Sequence, residues 1–365
     1  MMSRRPSFSA LAVSAFLVAL ALFLAGRVRA TPPPKPAIGD TDVLATIPAA
    51  PGFPEGIAVH GHTVYVSTAA TFGTAGNNLP SKIYRFDVRD GSSLGTIDIV
   101  GEDMNHEHAL SGMAFDGNGL LYVLSTQIGI VRLDPADPGQ QTVYGTPLED
   151  LPACGQTLPF PLPPGTPCSP TQLDAPPLPN DIAFDDAGYA YVTDSLQATI
   201  WRFPPGGGRP QIWFQDARLD VPGFGPNGVR LTPDRSHFVF AVTGNQTGTI
   251  YSLPHVDQPQ AGDLATVHTY NAFEAPDDLA FGSSGNLYVS LALANQISVI
   301  APDGSESRLP SQGSLIPYDG PANLAFDNRT ASLLAVNHAP FSNTPAHFAV
   351  LRTFVQDHEG PLARP

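Results

Sequence analysis

The chain contains only two cysteines in 365 residues, and only 14% of it is Asp, Glu, Lys or Arg. A cysteine-dense disulfide scaffold is therefore excluded, as is a structural zinc site built from cysteines alone. Basic residues are scarcer still: 18 Lys and Arg stand against 33 Asp and Glu, a formal net charge of −15. Such a surface argues against nucleic acid and anionic membrane as partners and leaves a small-molecule substrate. Beyond residue 30 no apolar run is long enough to span a bilayer. No nucleotide-binding glycine loop, Gly-x-Ser-x-Gly elbow or paired zinc motif stands in the strand-to-helix context it would need, which argues against a serine-hydrolase mechanism.

The N-terminus differs from the rest. Arg4 and Arg5 precede an apolar run from about Ala10 to Ala25, which ends in Val28-Arg29-Ala30. This pattern reads as a secretory signal over residues 1–30, cleaved after Ala30, with an uncleaved anchor as the competing reading. The expected product is a secreted or periplasmic protein with no membrane contact after signal removal. In an oxidising compartment Cys154 and Cys168, 14 residues apart in a proline-rich segment, would pair as a structural disulfide. Residues 31–40 read as a proline-rich linker and 356–365 as a polar tail.

Between them one pattern recurs six times. Glu55-Gly-Ile-Ala-Val, Ser111-Gly-Met-Ala-Phe, Asn180-Asp-Ile-Ala-Phe, Asn227-Gly-Val-Arg-Leu, Asp277-Asp-Leu-Ala-Phe and Ala322-Asn-Leu-Ala-Phe each read as a short apolar strand. A tight turn and a second strand rich in β-branched and aromatic residues follow each one. A third strand (KIYRFDV, TIWRFPP) and a weaker fourth (PQIWFQD) complete most units. Four antiparallel strands per repeat, at spacings of 56, 69, 47, 50 and 45 residues, predict an all-β, six-bladed β-propeller over residues 41–355. The longest spacing holds the cysteine segment, so residues 146–178 are expected to form a loop insertion. The last unit supplies only three strands, and the orphan strand beginning Asp42-Val-Leu is expected to close the ring.

In a propeller the first strand of each blade lines the central channel, so equivalent positions converge on the axis. That position reads Glu55, Ser111, Asn180, Asn227, Asp277 and Ala322. Four of the six are oxygen donors of the kind a hard cation such as calcium takes, and none is a sulfur or imidazole ligand suited to zinc or copper. Polar residues at strand starts also satisfy backbone groups or line a wet channel, and the repeat alone leaves both readings open.

The succession Pro54-Glu55-Gly56, Pro179-Asn180-Asp181, Pro226-Asn227-Gly228 and Pro276-Asp277-Asp278 resembles the senescence marker protein/gluconolactonase/luciferin-regenerating-enzyme family, related to the paraoxonases. The resemblance covers about residues 42–350. It implies one calcium ion (or another divalent cation) in the central tunnel and hydrolysis of lactones or related esters. It also implies Glu55, Asn227 and Asp277 as metal ligands, Asn180 as a further ligand or substrate contact, and Asp181 on the substrate side. Asp277 would then be the catalytic group, as general base in preference to nucleophile. The sequence departs from the family in having Leu178-Pro179 where gluconolactonase-like members tend to carry an arginine before the asparagine. A propeller used as a binding module with structural calcium is the alternative, since the fold hosts many roles. A metal-free synthase-like propeller is the third.

Three histidines are alternative proton carriers. His106 and His108 precede the second inner strand and are expected at the channel mouth. His338 follows the second strand of the last unit and reads as a loop residue on the rim.

Overall fold

The protein is described here from a computed structural model, which covers residues 35–76, 79–156, 161–244 and 247–365. The expected signal segment lies outside the described residues. From Ala37 to Pro365 the chain is one compact unit. Its 24 described strands form six four-stranded antiparallel sheets, as the repeat predicts. Blades 1 to 5 span 57–98, 110–145, 179–215, 226–269 and 276–309 in unbroken up-and-down order. Each inner strand packs beside that of the next blade, and the last, Pro321–Asp327, packs beside the first, Ile57–His60, so the ring is closed.

Closure is by the N-terminal strand. Thr41–Thr46 pairs antiparallel with Ala349–Phe354 and becomes the outer strand of blade 6. This leaves neither chain end as an open sheet edge at the seam. The six seams are filled by six buried apolar clusters; Tyr191, Trp213 and Phe238, for example, interlock across blades 3 and 4. Alternating strands supply these side chains because their outward and inward faces each meet a neighbouring blade.

The insertion between blades 2 and 3 carries the Cys154–Cys168 disulfide. It is anchored to blade 3 through Gln197, which accepts a hydrogen bond from the Leu151 amide (2.6 Å) and donates to the Glu149 carbonyl (2.9 Å).

The C-terminal segment is more than a polar tail. In blades 2 and 3 the turn after the inner strand begins with an aspartate, Asp116 or Asp185, that accepts turn amides and the hydroxyl of Tyr122 or Tyr191. Blade 5 has Gly282 at that place. Asp357 of the tail supplies the missing carboxylate, accepting from the Ser284 amide and from the Tyr288 hydroxyl at 3.1 Å. A Cβ on Gly282 would lie 2.0 Å from Asp357 Oδ2, so glycine is required for the substitution to work. The remaining tail crosses this end of the channel: Gly360 donates to the Phe281 carbonyl, and Pro365 accepts from the Gly117 amide. It encloses a cavity of about 90 Å³ against the inner strands.

Candidate functional site

The opposite end of the channel carries the predicted constellation. In five of the six blades the pairing of inner and second strand is broken at the repeat positions, for instance between Pro179 and Ile182, Pro226 and Val229, and Pro276 and Leu279. These irregularities release two consecutive residues from the ladder, a device that re-aims side chains near sites. The backbone there is held instead by hydroxyls of the second strands. Ser67, Thr193 and Ser290 each bond to the backbone of their own blade and donate to the carbonyl of Ser111, Asn227 or Ala322 on the next.

Glu55, Asn227 and Asp277 are brought together. Burial holds the Asp277 carboxyl well above the usual carboxylate range, and the negative charges of Glu55 and then Asp278 push it further; a hydrogen bond with Asn227 acts the other way. Asn227 is buried and also donates to Thr243 Oγ1 at 2.8 Å. Asn180 holds the equivalent strand position and is half-buried. Ser111 Oγ is spent on the Pro179 carbonyl (2.8 Å), and Ala322 offers no donor.

His338 is not the bland rim residue the sequence suggests. Its Nε2 donates to the Ala70 carbonyl at 2.8 Å and its Nδ1 lies 2.8 Å from Glu55 Oε2. The carbonyl can only accept, so Nε2 carries a proton, and Nδ1 faces the Glu55 carboxylate. Burial opposes the charge, but Glu55 and the Ala70 carbonyl outweigh it and the pKa is raised. The rings of His106 and His108 bond to loop residues and not to Glu55, Asn227 or Asp277. The exposed His106 pairs with Asp103, whereas His108 is fully buried with its ring between the His106 and Leu79 carbonyls.

One residue deeper lies a second acidic layer. Asp181 is fully buried; its Oδ2 accepts from the Val229 amide (2.8 Å) and from Arg230. Asp278 Oδ2 accepts from the Leu324 amide (2.9 Å) and from Arg230 Nη2 (3.0 Å). The other oxygens of the two acids face Gly112 and Gly228, where a Cβ would approach to 2.5 and 2.4 Å. Asp181, expected on the substrate side, is enclosed: its Oδ2 ties blades 3 and 4 together, and its Oδ1 is buried without a hydrogen-bond partner. Burial and the charge of Asp181 still push Asp278 up to about 8, against Arg230.

Arg230 was not singled out by type, although its signal is in the repeat. The fourth residue of the repeat is alanine in blades 1, 2, 3, 5 and 6 (Ala58, Ala114, Ala183, Ala280, Ala325) and arginine only in blade 4.

The outer layer thus holds two carboxylates and two amides with no arginine or lysine paired to Asp277. Among the described residues no group of three or more His, Cys, Asp and Glu is placed to hold a metal. A cation here would need the amide oxygens of Asn180 and Asn227 besides Glu55 and Asp277. That donor set suits a hard cation, and the mutual repulsion of the two carboxylates is what such a cation relieves.

No family profile matches the chain, and no curated protein is similar to it in sequence. Solved structures do share its fold. A calcium-binding regucalcin from Agrobacterium tumefaciens matches with a TM-score of 0.58 at 15% identity, over 88% of this chain and 95% of that one. A gluconolactonase from Xanthomonas campestris matches at 0.53 and 19% identity, over 89% and 98%. Virginiamycin B lyase from Staphylococcus aureus, bound to quinupristin, matches at 0.53 and 14% identity, over 86% and 98%. The first two are of the group that the repeat motifs resemble. At these identities the likeness establishes the six-bladed fold, which hydrolytic and lyase chemistries share.

Proposed function

We propose that the protein is an exported, calcium-dependent hydrolase of lactones or related esters. The observation that carries this reading is the outer layer: Glu55 and Asp277 face each other's charge beside Asn227, with no basic residue neutralising Asp277. Glu55, Asn180, Asn227 and Asp277 would hold the ion. When bound, calcium supplies a Lewis acid that polarises the ester carbonyl and stabilises the oxyanion.

The chain's own groups account for the rest. Asn227, fixed by Thr243 and by the Thr193 hydroxyl on its carbonyl, orients the Asp277 carboxylate. Asp277, once ionised, takes the proton from the attacking water as general base. His338, tied to the Ala70 carbonyl through Nε2 and beside Glu55 through Nδ1, positions Glu55. Export is supported by the N-terminal sequence features and is compatible with the Cys154–Cys168 disulfide.

Turnover of a panel of lactones and carboxylic and phosphate esters tests the reading, with and without calcium, in wild type, Asp277→Asn and Asn227→Ala. Calcium-dependent hydrolysis lost in both variants is expected. If no panel member is hydrolysed, or if the activity ignores both substitutions and the ion, the hydrolase reading fails and a binding module takes its place.

A further inference from the structure

Among the described residues exactly four phenylalanines are exposed: Phe72, Phe224, Phe273 and Phe341. All four lie in loops that open on the channel end carrying Glu55, Asn227 and Asp277. Phe224 precedes Asn227 by three residues and Phe273 precedes Asp277 by four. Phe341 follows His338 by three, and Phe72 follows Ala70, the acceptor of the His338 ring, by two. Scattered exposed apolar residues are ordinary, but the confinement of every exposed Phe to the surroundings of one site is not.

Backbone conformation is a second, independent sign. Phe273 adopts φ +65° and is 69% exposed. A bulky residue in the left-handed region is strained, and no buried packing of this ring compensates for it. Phe53, two residues before Glu55, shows the same left-handed backbone at φ +46°, though its ring packs on Phe348 and His338. Charged side chains of the rim include Asp103, His106 and Glu107 in the loop between blades 1 and 2.

Resting on the hydrolase reading above, we propose that the substrate carries an apolar acyl or aryl group that lies against this phenylalanine rim. The site then takes long-chain or aromatic lactones and esters in preference to sugar lactones. Water-exposed rings beside a polar reaction centre recognise a molecule with a polar head and an apolar body.

The experiment separates this inference from the hydrolase reading by using ligands that cannot react. Calorimetric titration of the purified protein with an unsubstituted six-membered lactam and with the same ring bearing a heptyl chain is run beside turnover of the matching lactones. The heptyl lactam is expected to bind at least about tenfold more tightly, the gain from burying roughly two methylenes. Phe273→Ser and Phe224→Ser should each bring the ratio of the two affinities toward one, and Phe273→Leu should restore part of it. Phe273→Gly should do the same to the ratio while raising Tm, because glycine accepts the left-handed backbone; a lower Tm would show a structural ring and count against the proposal. Equal binding of the two lactams by wild type overturns it even if both lactones are hydrolysed. Discrimination that depends on the phenylalanines without any turnover upholds the rim and sinks the hydrolase. Binding to phosphatidylcholine vesicles that needs the same phenylalanines, with no discrimination between lactams, overturns it in favour of a lipid surface.

Discussion

Asp277 and Asp278 are neighbours in sequence, on one strand, at one end of one channel, and the fold gives them opposite tasks. Asp278 is fully buried and shares Arg230 with Asp181, so that one guanidinium and two backbone amides bind four blades together. Asp277 has no such cation and faces Glu55 instead. The inner layer brings an arginine to its carboxylates, whereas in the outer layer Glu55 has His338 beside it and Asp277 has no basic partner. Residue type therefore says little about role here; the sign of the nearest fixed charge says most.

The sharpest way to break this contrast is to neutralise each acid in turn. Asp277→Asn should lower lactone or ester turnover by about 10³-fold, as for loss of a general base, and leave the metal-free protein as stable or more so because a repulsion is gone. Asp278→Asn should leave turnover within about tenfold of wild type. Comparable losses in both variants would erase the distinction between the layers.

Removing the internal cation should have the largest effect on stability. Arg230→Met leaves two buried carboxylates unpaired and should cost about 3–5 kcal/mol in urea unfolding. The same change in an Asp278→Asn background should cost less, because one of the stranded charges is already absent. A cost below about 1 kcal/mol would mean that the inner layer does not depend on its arginine.

A smaller effect should come from calcium bound at the outer layer. Calcium at about a hundred times its Kd should stabilise the wild type by about 2.7 kcal/mol. The gain should vanish in Asp277→Asn, measured as the shift in Tm.

The gentlest test is pH. Both carboxyls have folded pKa values raised above the ordinary aspartate value, so the folded protein holds protons that the unfolded chain releases. Their contribution favours folding in full below about pH 4 and is lost as pH rises, up to about 8 for Asp278. Metal-free protein should accordingly lose stability across that window in thermal melts. Asp278→Asn should flatten the inner layer's part of the slope, and calcium should flatten the part due to Asp277. A stability that rises through the same window would contradict the raised values.

The propeller was legible because a blade is a local object. Each hairpin is specified by its own strands and turns, and six copies repeat the message, down to the orphan strand at Asp42 that closes the ring. The oxygen donors at Glu55, Asn180, Asn227 and Asp277 were legible for the same reason, since alignment of the repeats aligns positions around the axis. His338 was not, because its pairing with Glu55 joins residues from the two ends of the chain. Asp357 was not, because its partner is a turn in blade 5 that lacks its own aspartate. Arg230 broke a run of alanines, yet nothing local says that a guanidinium on blade 4 will meet carboxylates from blades 3 and 5 on either side.

By itself the sequence determined the number of blades, the manner of closure and the chemical type of every group on the channel wall. Only the tertiary structure decided which of those groups are neutralised from within and which are left exposed to a ligand. The reason is that secondary structure and repeat spacing depend on neighbours along the chain, whereas the state of a buried charge depends on whatever the closed ring brings within a few ångströms of it.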